Sequence, residues 1–152
     1  MKRVALLLGL SLSAPVLAEP GPTIQLYKDP SCGCCEGWAD HMRAAGYRVN
    51  TEIVADMGRV KRHYGVPAHG QSCHTALVDG YVLEGHVPAH AVNQLLAEQP
   101  PVQGLTVPGM PIGSPGMEVP GRADDLYAVV PFKDGKLLGG GQRYQGSRPS
   151  ER

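Results

Sequence analysis

Three of the four cysteines in this 152-residue chain lie together as Cys32-Gly33-Cys34-Cys35, and the fourth is Cys73. Cys32 and Cys35 have the C-x-x-C spacing of thiol redox motifs and are the candidate redox pair. A third cysteine beside such a pair would compete for wrong disulfides. Three clustered thiolates can instead bridge soft metal ions, of which Cu(I) is the softest common one. The cluster therefore predicts a copper site with sulfur ligands.

The expected place of this cluster in the fold favours the same chemistry. Residues 23–28 alternate polar and apolar side chains and predict a strand, and residues 34–45 carry an apolar stripe at helical spacing. The cysteines therefore lie where a strand gives way to a helix N-terminus. Unpaired backbone N–H groups and the positive end of the helix dipole favour the thiolate there. The thiolate is both the nucleophile and the metal ligand.

A β-hairpin is predicted further along the chain. Residues 75–78 and 81–83 are largely apolar runs separated by Asp79-Gly80, a sequence typical of a tight two-residue turn. Counting back from this turn along both strands places Cys73 opposite His86. Opposed residues share a sheet face with Cβ atoms about 5 Å apart. We therefore expect Cys73 and His86 to be neighbouring metal ligands.

Position and softness decide which other side chains are predicted ligands. Strand alternation turns His74 away from the face of Cys73, so His74 is not predicted to bind metal. Met110 and Met117 lie in Gly/Pro-rich loops with little apolar company, and a thioether suits Cu(I) better than Zn(II) or Ca(II). Both methionines are therefore predicted ligands. The remaining histidines are expected on the surface: His41, His63, His69 and His90.

The order of predicted elements is strand, helix, strand, helix, hairpin, helix. The second strand covers residues 47–54, Asp56 caps a second helix that ends near Tyr64, and Pro88 opens a third helix. With a cysteine motif at the first strand–helix junction, this order is typical of an α/β, thioredoxin-like domain. A Gly/Pro-rich C-terminal extension follows, with a closing hairpin around Asp134-Gly135.

The first residues have the features of an export signal. Lys2 and Arg3 precede an apolar run at residues 4–12, and small residues precede a predicted cleavage ahead of Glu19. The apolar run is too short to span a bilayer, and no later stretch is long enough either. We therefore expect a periplasmic protein that has no membrane span once the signal is removed.

Composition limits the classes of partner and sets the expected domain boundaries. The chain has 14 basic and 14 acidic residues and no basic block, which argues against nucleic acid as a partner. Its 20 glycines and 14 prolines concentrate after residue 99. The predicted parts are a signal peptide (1–18), a thioredoxin-like domain (19–100), a metal-binding C-terminal extension (101–138) and a flexible tail (139–152).

Plainer interpretations of the same residues stay open. Cysteines of an exported chain oxidise readily, so the cluster could be one disulfide plus a free thiol, and Cys73 could be a structural disulfide partner. His86 could be an ordinary half-buried hairpin histidine. Met110 and Met117 could be loop residues that fill gaps in the core.

Three stretches of the chain resemble the CopG-type copper-resistance proteins of Gram-negative bacteria, which are unrelated to the plasmid repressors of the same name. They are DPSCGCCEGW (29–38), SCHTALVDGYVLEGHVP (72–88) and GLTVPGMPIGSPGM (104–117). The resemblance spans about residues 23–132. Three motifs in the same order make it far more specific than a lone C-x-x-C.

The resemblance implies a thioredoxin-like fold whose C-terminal extension contributes to metal binding. It also implies a multinuclear, sulfur-bridged copper cluster and an oxidoreductase role between Cu(I) and Cu(II). Carried over to this chain, the bridging ligands would be the cysteines, and the extension would contribute the methionines: Cys32, Cys34, Cys35, Cys73, Met110 and Met117.

The function expected from these features is periplasmic copper binding for copper resistance, with several copper ions per chain and interconversion of Cu(I) and Cu(II) as an implied activity. One alternative is a metal-free thiol–disulfide oxidoreductase that uses Cys32 and Cys35, against which the third clustered cysteine argues. Another is a passive copper chaperone or sink. The expected partners are copper ions and either a copper efflux system or a periplasmic copper carrier.

Overall fold

The N-terminal part of the described chain is a strand–helix–strand unit. The computed structural model describes residues 21–151, so the predicted signal peptide (1–18) lies outside the described residues. Strand β1 (Thr23–Lys28) leads into helix α1 (Gly33–Ala44), which returns the chain to strand β2 (Arg48–Ile53). The two strands pair in parallel, because the helix carries the chain back to the start of the sheet.

The next part contains a capped helix and the predicted hairpin. Helix α2 (Met57–His63) is capped by Asp56, whose side chain accepts the Arg59 N–H. Strands β3 (Thr75–Val78) and β4 (Tyr81–Glu84) form the hairpin. Val78 pairs with Tyr81 and Thr75 with Glu84, as predicted. Asp79 and Gly80 both have positive φ, the backbone geometry that a type I′ turn needs.

The remaining elements extend the same sheet. Helix α3 (Ala89–Glu98) is followed by the strands β5 (Gly104–Thr106), β6 (Leu126–Lys133), β7 (Lys136–Leu137), β8 (Gln142–Gln145) and β9 (Arg148–Pro149). Within the described residues, nine strands form one sheet in the order β2-β1-β3-β4-β5-β6-β8-β9, with β7 paired to β6. The fold is therefore mixed α/β, with three α-helices in residues 21–151.

The C-terminal part differs from its sequence-based expectation in two places. The predicted closing hairpin is present as β6 and β7, but β5 was not predicted, because three residues that include a glycine show no usable alternation. The tail expected beyond residue 138 contains β8 and β9. Tyr144 anchors it, because its side chain is fully buried and stacks on Tyr127.

The main core lies between this sheet and the helices, and Trp38 of α1 is its largest fully buried side chain. The indole Nε1 of Trp38 donates to the carbonyl oxygen of Val87 at 2.9 Å, which ties α1 to the end of the hairpin. From residue 21 to residue 151, the structure has no helix of the length and apolar character that a membrane crossing requires.

His41 has a structural role that the sequence did not reveal. Pro88, the N-cap residue of helix α3, offers no side-chain cap, and the Ala89 N–H donates instead to Nε2 of His41 at 3.1 Å. His41 is half-buried rather than a surface residue. Burial lowers its pKa from the usual 6.5, and the nearby Glu118 carboxylate opposes the shift. The neutral ring is the form that can accept this hydrogen bond.

This cap predicts a pH-dependent contribution to stability. The unfolded chain takes up a proton on His41 as the pH falls through about 6.5, whereas the folded chain resists it, so stability is lost below that pH. His41→Gln keeps an acceptor but does not titrate. In urea denaturation, the free energy of unfolding of this variant should fall less between about pH 7 and about pH 5 than that of the parent. Equal pH slopes for both proteins would contradict the assignment.

Candidate metal centre

The junction of β1 and α1 positions the three clustered cysteines. Cys32 is the N-cap residue of α1, and Cys34 and Cys35 lie in its first turn. Lys28, buried at the end of β1, donates through Nζ to the Cys32 carbonyl oxygen at 3.3 Å and forms an ion pair with Glu36 at 3.0 Å. Lys28 thereby links the end of β1 to both the N-cap and the first turn of α1. The cysteine sulfurs lie at the positive end of the helix dipole.

The sulfur atoms of all four cysteines converge on this junction. Cys32 and Cys35 form a disulfide, and Cys34 and Cys73 are free thiols. The Sγ atom of Cys34 lies 3.5 Å from that of Cys32 and 3.7 Å from that of Cys73, and Cys35 and Cys73 are 3.8 Å apart. All four sulfurs lie within 4.8 Å of one another, close enough to hold a metal ion. Cys73 thus joins the cluster from 38 residues away in the chain.

Cys73 and His86 are neighbours, as the sequence predicted, although the ladder between β3 and β4 ends at Thr75 and Glu84. The Sγ atom of Cys73 lies 3.0 Å from Nε2 of His86. The other ring nitrogen, Nδ1, lies 2.8 Å from the carbonyl oxygen of Pro115. Because a carbonyl only accepts, Nδ1 carries the proton and donates, which leaves a lone pair on Nε2 facing the thiol. Histidine ligands of metals are typically oriented in this way.

The prediction that His74 faces away from Cys73 is wrong. Its Nδ1 lies 3.2 Å from Sγ of Cys73, and its ring packs against Trp38 and against the edge of His86, with centroids 4.6 Å and 5.0 Å away. Strand alternation does not apply here, because β3 begins only at Thr75 and Cys73 lies in a bend. Cys73, His74 and His86 therefore form a second group of close potential ligand atoms.

Burial keeps this group uncharged in the protein without metal. Burial, reinforced by the neighbouring Cys34, raises the pKa of Cys73 to about 12. Burial also lowers the pKa of His86 and holds the pKa of His74 well below its usual value. A neutral thiol therefore faces two neutral imidazoles at neutral pH. A bound cation would favour loss of the thiol proton and use the two nitrogen lone pairs.

A buried ion pair supports the bend that carries Cys73. Lys61 of α2 and Glu84 of β4 are both buried and paired through Nζ and Oε1. Oε1 of Glu84 also accepts the Ser72 N–H at 2.7 Å, and Oε2 accepts the Thr75 hydroxyl at 2.6 Å. The carboxylate thus bonds to the residues on either side of the Cys73–His74 pair. Sequence reasoning missed this group, although an acidic residue ending an apolar strand was a usable signal.

The C-terminal extension reaches the centre through its backbone. Gly116 has φ +86° and packs so closely on α1 that a Cβ there would lie 2.5 Å from the Cys34 carbonyl oxygen and 2.6 Å from the Trp38 nitrogen. The neighbouring Pro115 carbonyl accepts from His86. Another loop of the extension is attached where the Ser72 hydroxyl donates to the carbonyl of Gly109. The extension thereby covers the first turn of α1 and holds one imidazole.

The predicted methionine ligands differ in their surroundings. Met117 is half-buried and directly follows Gly116, and its backbone N–H donates to the Ser114 carbonyl at 2.7 Å. Met110 is 53% exposed and follows Gly109, whose carbonyl accepts the Ser72 hydroxyl. Both methionines therefore sit on the loops that attach to the centre.

Comparisons with known proteins agree with this geometry. Two solved structures of copper resistance protein CopG, forms 2 and 1, are each 41% identical to this chain and cover 87% of it. The match covers 99% and 98% of their chains, with TM-scores of 0.72 and 0.71. The chain belongs to the CopG family. A family model described as a protein of unknown function, DUF411, matches residues 70–117 of this CopG-family chain, and no curated protein sequence matches.

In this member of the CopG family, the buried ion pair predicts a strong and asymmetric mutational effect. Lys61→Met leaves the Glu84 carboxylate buried without its cation, which should lower the free energy of unfolding by about 3–5 kcal/mol in urea denaturation. Adding Glu84→Gln should restore much of that loss, because the unpaired charge is then gone. Arg43→Met, which breaks the exposed pair with Asp40, is the control and should change stability little. A Lys61→Met protein as stable as the parent would refute this role.

Proposed function

We propose that this chain binds copper on the sulfurs of Cys32, Cys34, Cys35 and Cys73 and thereby serves copper resistance. The observation that carries the proposal is the convergence of four sulfur atoms from two distant segments within 4.8 Å of one another. Both solved structures are of copper resistance protein CopG, which supports the same function here. Soft thiolate ligands select Cu(I) over harder ions.

The spacing of the sulfurs favours more than one copper ion per chain. Cys34 lies 3.5 Å from Cys32 and 3.7 Å from Cys73, so it is central to the group and could bridge neighbouring ions. In this proposal, reduction of the disulfide makes all four thiolates available. The extension would add Met110 and Met117, whose thioethers suit Cu(I). His86, turned by Pro115, would add an imidazole.

We propose in addition that the part of the chain before the extension, residues 19–100, has a thioredoxin-like fold. The strand order β2-β1-β3-β4, with β1 parallel to β2 and antiparallel to β3, supports it. The position of the cysteine motif between β1 and α1 supports it as well. Cys73 precedes β3, the strand that pairs with β1. The periplasmic location proposed for the protein depends on residues 1–18 acting as an export signal.

We propose in addition that the protein interconverts Cu(I) and Cu(II) and that its partner is an efflux system or a periplasmic copper carrier. A passive chaperone or sink would use the same ligands without changing the copper oxidation state. The disulfide between Cys32 and Cys35 favours one second candidate, a thiol–disulfide oxidoreductase that needs no metal. The free thiols of Cys34 and Cys73 beside that disulfide are the feature that a simple dithiol exchanger does not require.

Titration of the reduced protein with Cu(I) under a competing chelator tests the proposed function. We expect more than one copper ion per chain and preference over Zn(II), because four close thiolates suit bridging of soft ions. Cys34→Ser should sharply lower copper binding but leave the Cys32–Cys35 disulfide able to form. One copper ion or fewer, with Zn(II) bound equally well, would refute the cluster. Copper binding unchanged in Cys34→Ser, together with dominant reduction of insulin disulfides, would favour the oxidoreductase.

A matched pair of glycine substitutions tests the contribution of the extension. Gly116→Ala and Gly121→Ala both place alanine at positive φ, which costs about 1–2 kcal/mol in each case. Only the Gly116 methyl group would collide with α1, since nothing lies within 4 Å of a Cβ on Gly121. We expect Gly116→Ala to weaken Cu(I) binding at least about tenfold, as loss of support around a metal site typically does. Equal affinity of the two variants would show that the extension is dispensable.

A further inference from the structure

Strand β2 forms one edge of the sheet within the described residues. Its six residues pair with β1 along their whole length, and all of them except Val49 are exposed. The Ile53 side chain is 61% exposed. The other edge is β9, which has only two residues and ends in Pro149. A very short edge strand with a proline resists pairing with another chain, whereas β2 has neither protection.

The outer side of β2 carries backbone groups that β1 does not use. The N–H groups of Arg48 and Val54 donate toward β1, to carbonyl oxygens at 3.3 Å and 3.0 Å, so the even-numbered residues bond to that strand. Successive residues of an extended strand direct their N–H and C=O groups to opposite sides. The groups of Val49, Thr51 and Ile53 therefore point away from β1, where the described residues contain no further strand.

This outer side is self-complementary in one register. In an antiparallel pair, outward residues must meet outward residues to form hydrogen bonds, so the register changes only in steps of two residues. With Val49 opposite Thr51, Asn50 lies opposite its own copy, and Arg48 lies opposite Glu52 on each side of it. A slide of two residues in either direction ends this direct opposition of charges. Charge therefore selects a single register for a second copy of β2.

Arg48 and Glu52 are available for such a contact. Both side chains are exposed, and neither belongs to an ion pair within residues 21–151. Arg48 donates only to the hydroxyl of Thr23, at 3.0 Å. Opposite charges directly across two strands stabilise the pairing, and like charges there destabilise it. An antiparallel pair of identical strands also has two-fold symmetry, so the association closes as a dimer.

We propose that two copies of this chain associate through β2, antiparallel and with Asn50 at the two-fold axis, and so form one continuous sheet. Val49 and Thr51 exchange backbone hydrogen bonds across the interface, between two ion pairs of Arg48 with Glu52. A ladder of this length buries less surface than a permanent interface, so the association is reversible. The proposal does not rest on the proposed function, because no cysteine lies on β2.

Sedimentation equilibrium of the full mature chain tests the dimer, without metal and with a reductant that prevents disulfides between chains. We expect a dimer whose fraction rises with protein concentration. Arg48→Glu places glutamate opposite Glu52, and Glu52→Arg places arginine opposite Arg48, so each should weaken dimerisation at least about tenfold. An equimolar mixture of the two variants should dimerise again, because every mixed pair has opposite charges. Arg143→Glu, exposed on β8, is the matched control and should leave dimerisation unchanged.

Hydrogen exchange of the parent chain locates the interface without any substitution. The outward amides of Val49 and Thr51 should exchange more slowly as protein concentration rises, whereas those of Asn50 and Glu52, which bond to β1, should be protected at every concentration. A chain that stays monomeric would overturn the proposal and leave this edge to a strand of another protein. A dimer that both charge reversals leave unchanged, or variants that stay monomeric when mixed, would overturn it as well.

Discussion

Antiparallel pairing of β1 with β3 is the constraint on which the candidate metal centre depends. Tyr27 pairs with Thr75, so the residues that follow β1 and the residues that precede β3 meet at the same edge of the sheet. The first of these segments continues into the Cys32–Cys35 cluster, and the second contains Cys73. The backbone ladder therefore brings together sulfurs that are far apart in sequence, before any side-chain contact is considered.

Buried charged side chains then hold these two segments in place. Their burial costs desolvation free energy, which apolar packing does not. The Glu84 carboxylate is desolvated, which raises its pKa, while Lys61, Thr75 and the Ser72 N–H all stabilise its ionised form. Lys28 acts similarly at the other segment through the Cys32 carbonyl. Such networks contribute little net stability compared with apolar packing, but they define one geometry for the groups they bond. Here those groups flank the cysteines.

The centre has sulfur on one side and nitrogen on the other, with Cys73 common to both. Cys34 and the disulfide face Cys73 from the start of α1, whereas His74 and His86 approach it from the hairpin. The extension closes the arrangement, because the Pro115 carbonyl fixes one imidazole and the adjacent glycine packs on the helix. Soft sulfur ligands and borderline nitrogen ligands therefore meet at one thiol.

Local chemistry explains what the sequence determined by itself. The Asp79-Gly80 turn favours a two-residue hairpin, so the sequence predicted the pairing of β3 with β4 from Val78–Tyr81 to Thr75–Glu84, and the spacing of Cys32 and Cys35 allowed their disulfide. Only the tertiary structure decided the position of His74, since alternation holds within a strand and fails in the bend before it. The burial of Lys61 against Glu84 and the strands after residue 138 also depend on partners distant in the chain, which no local pattern encodes.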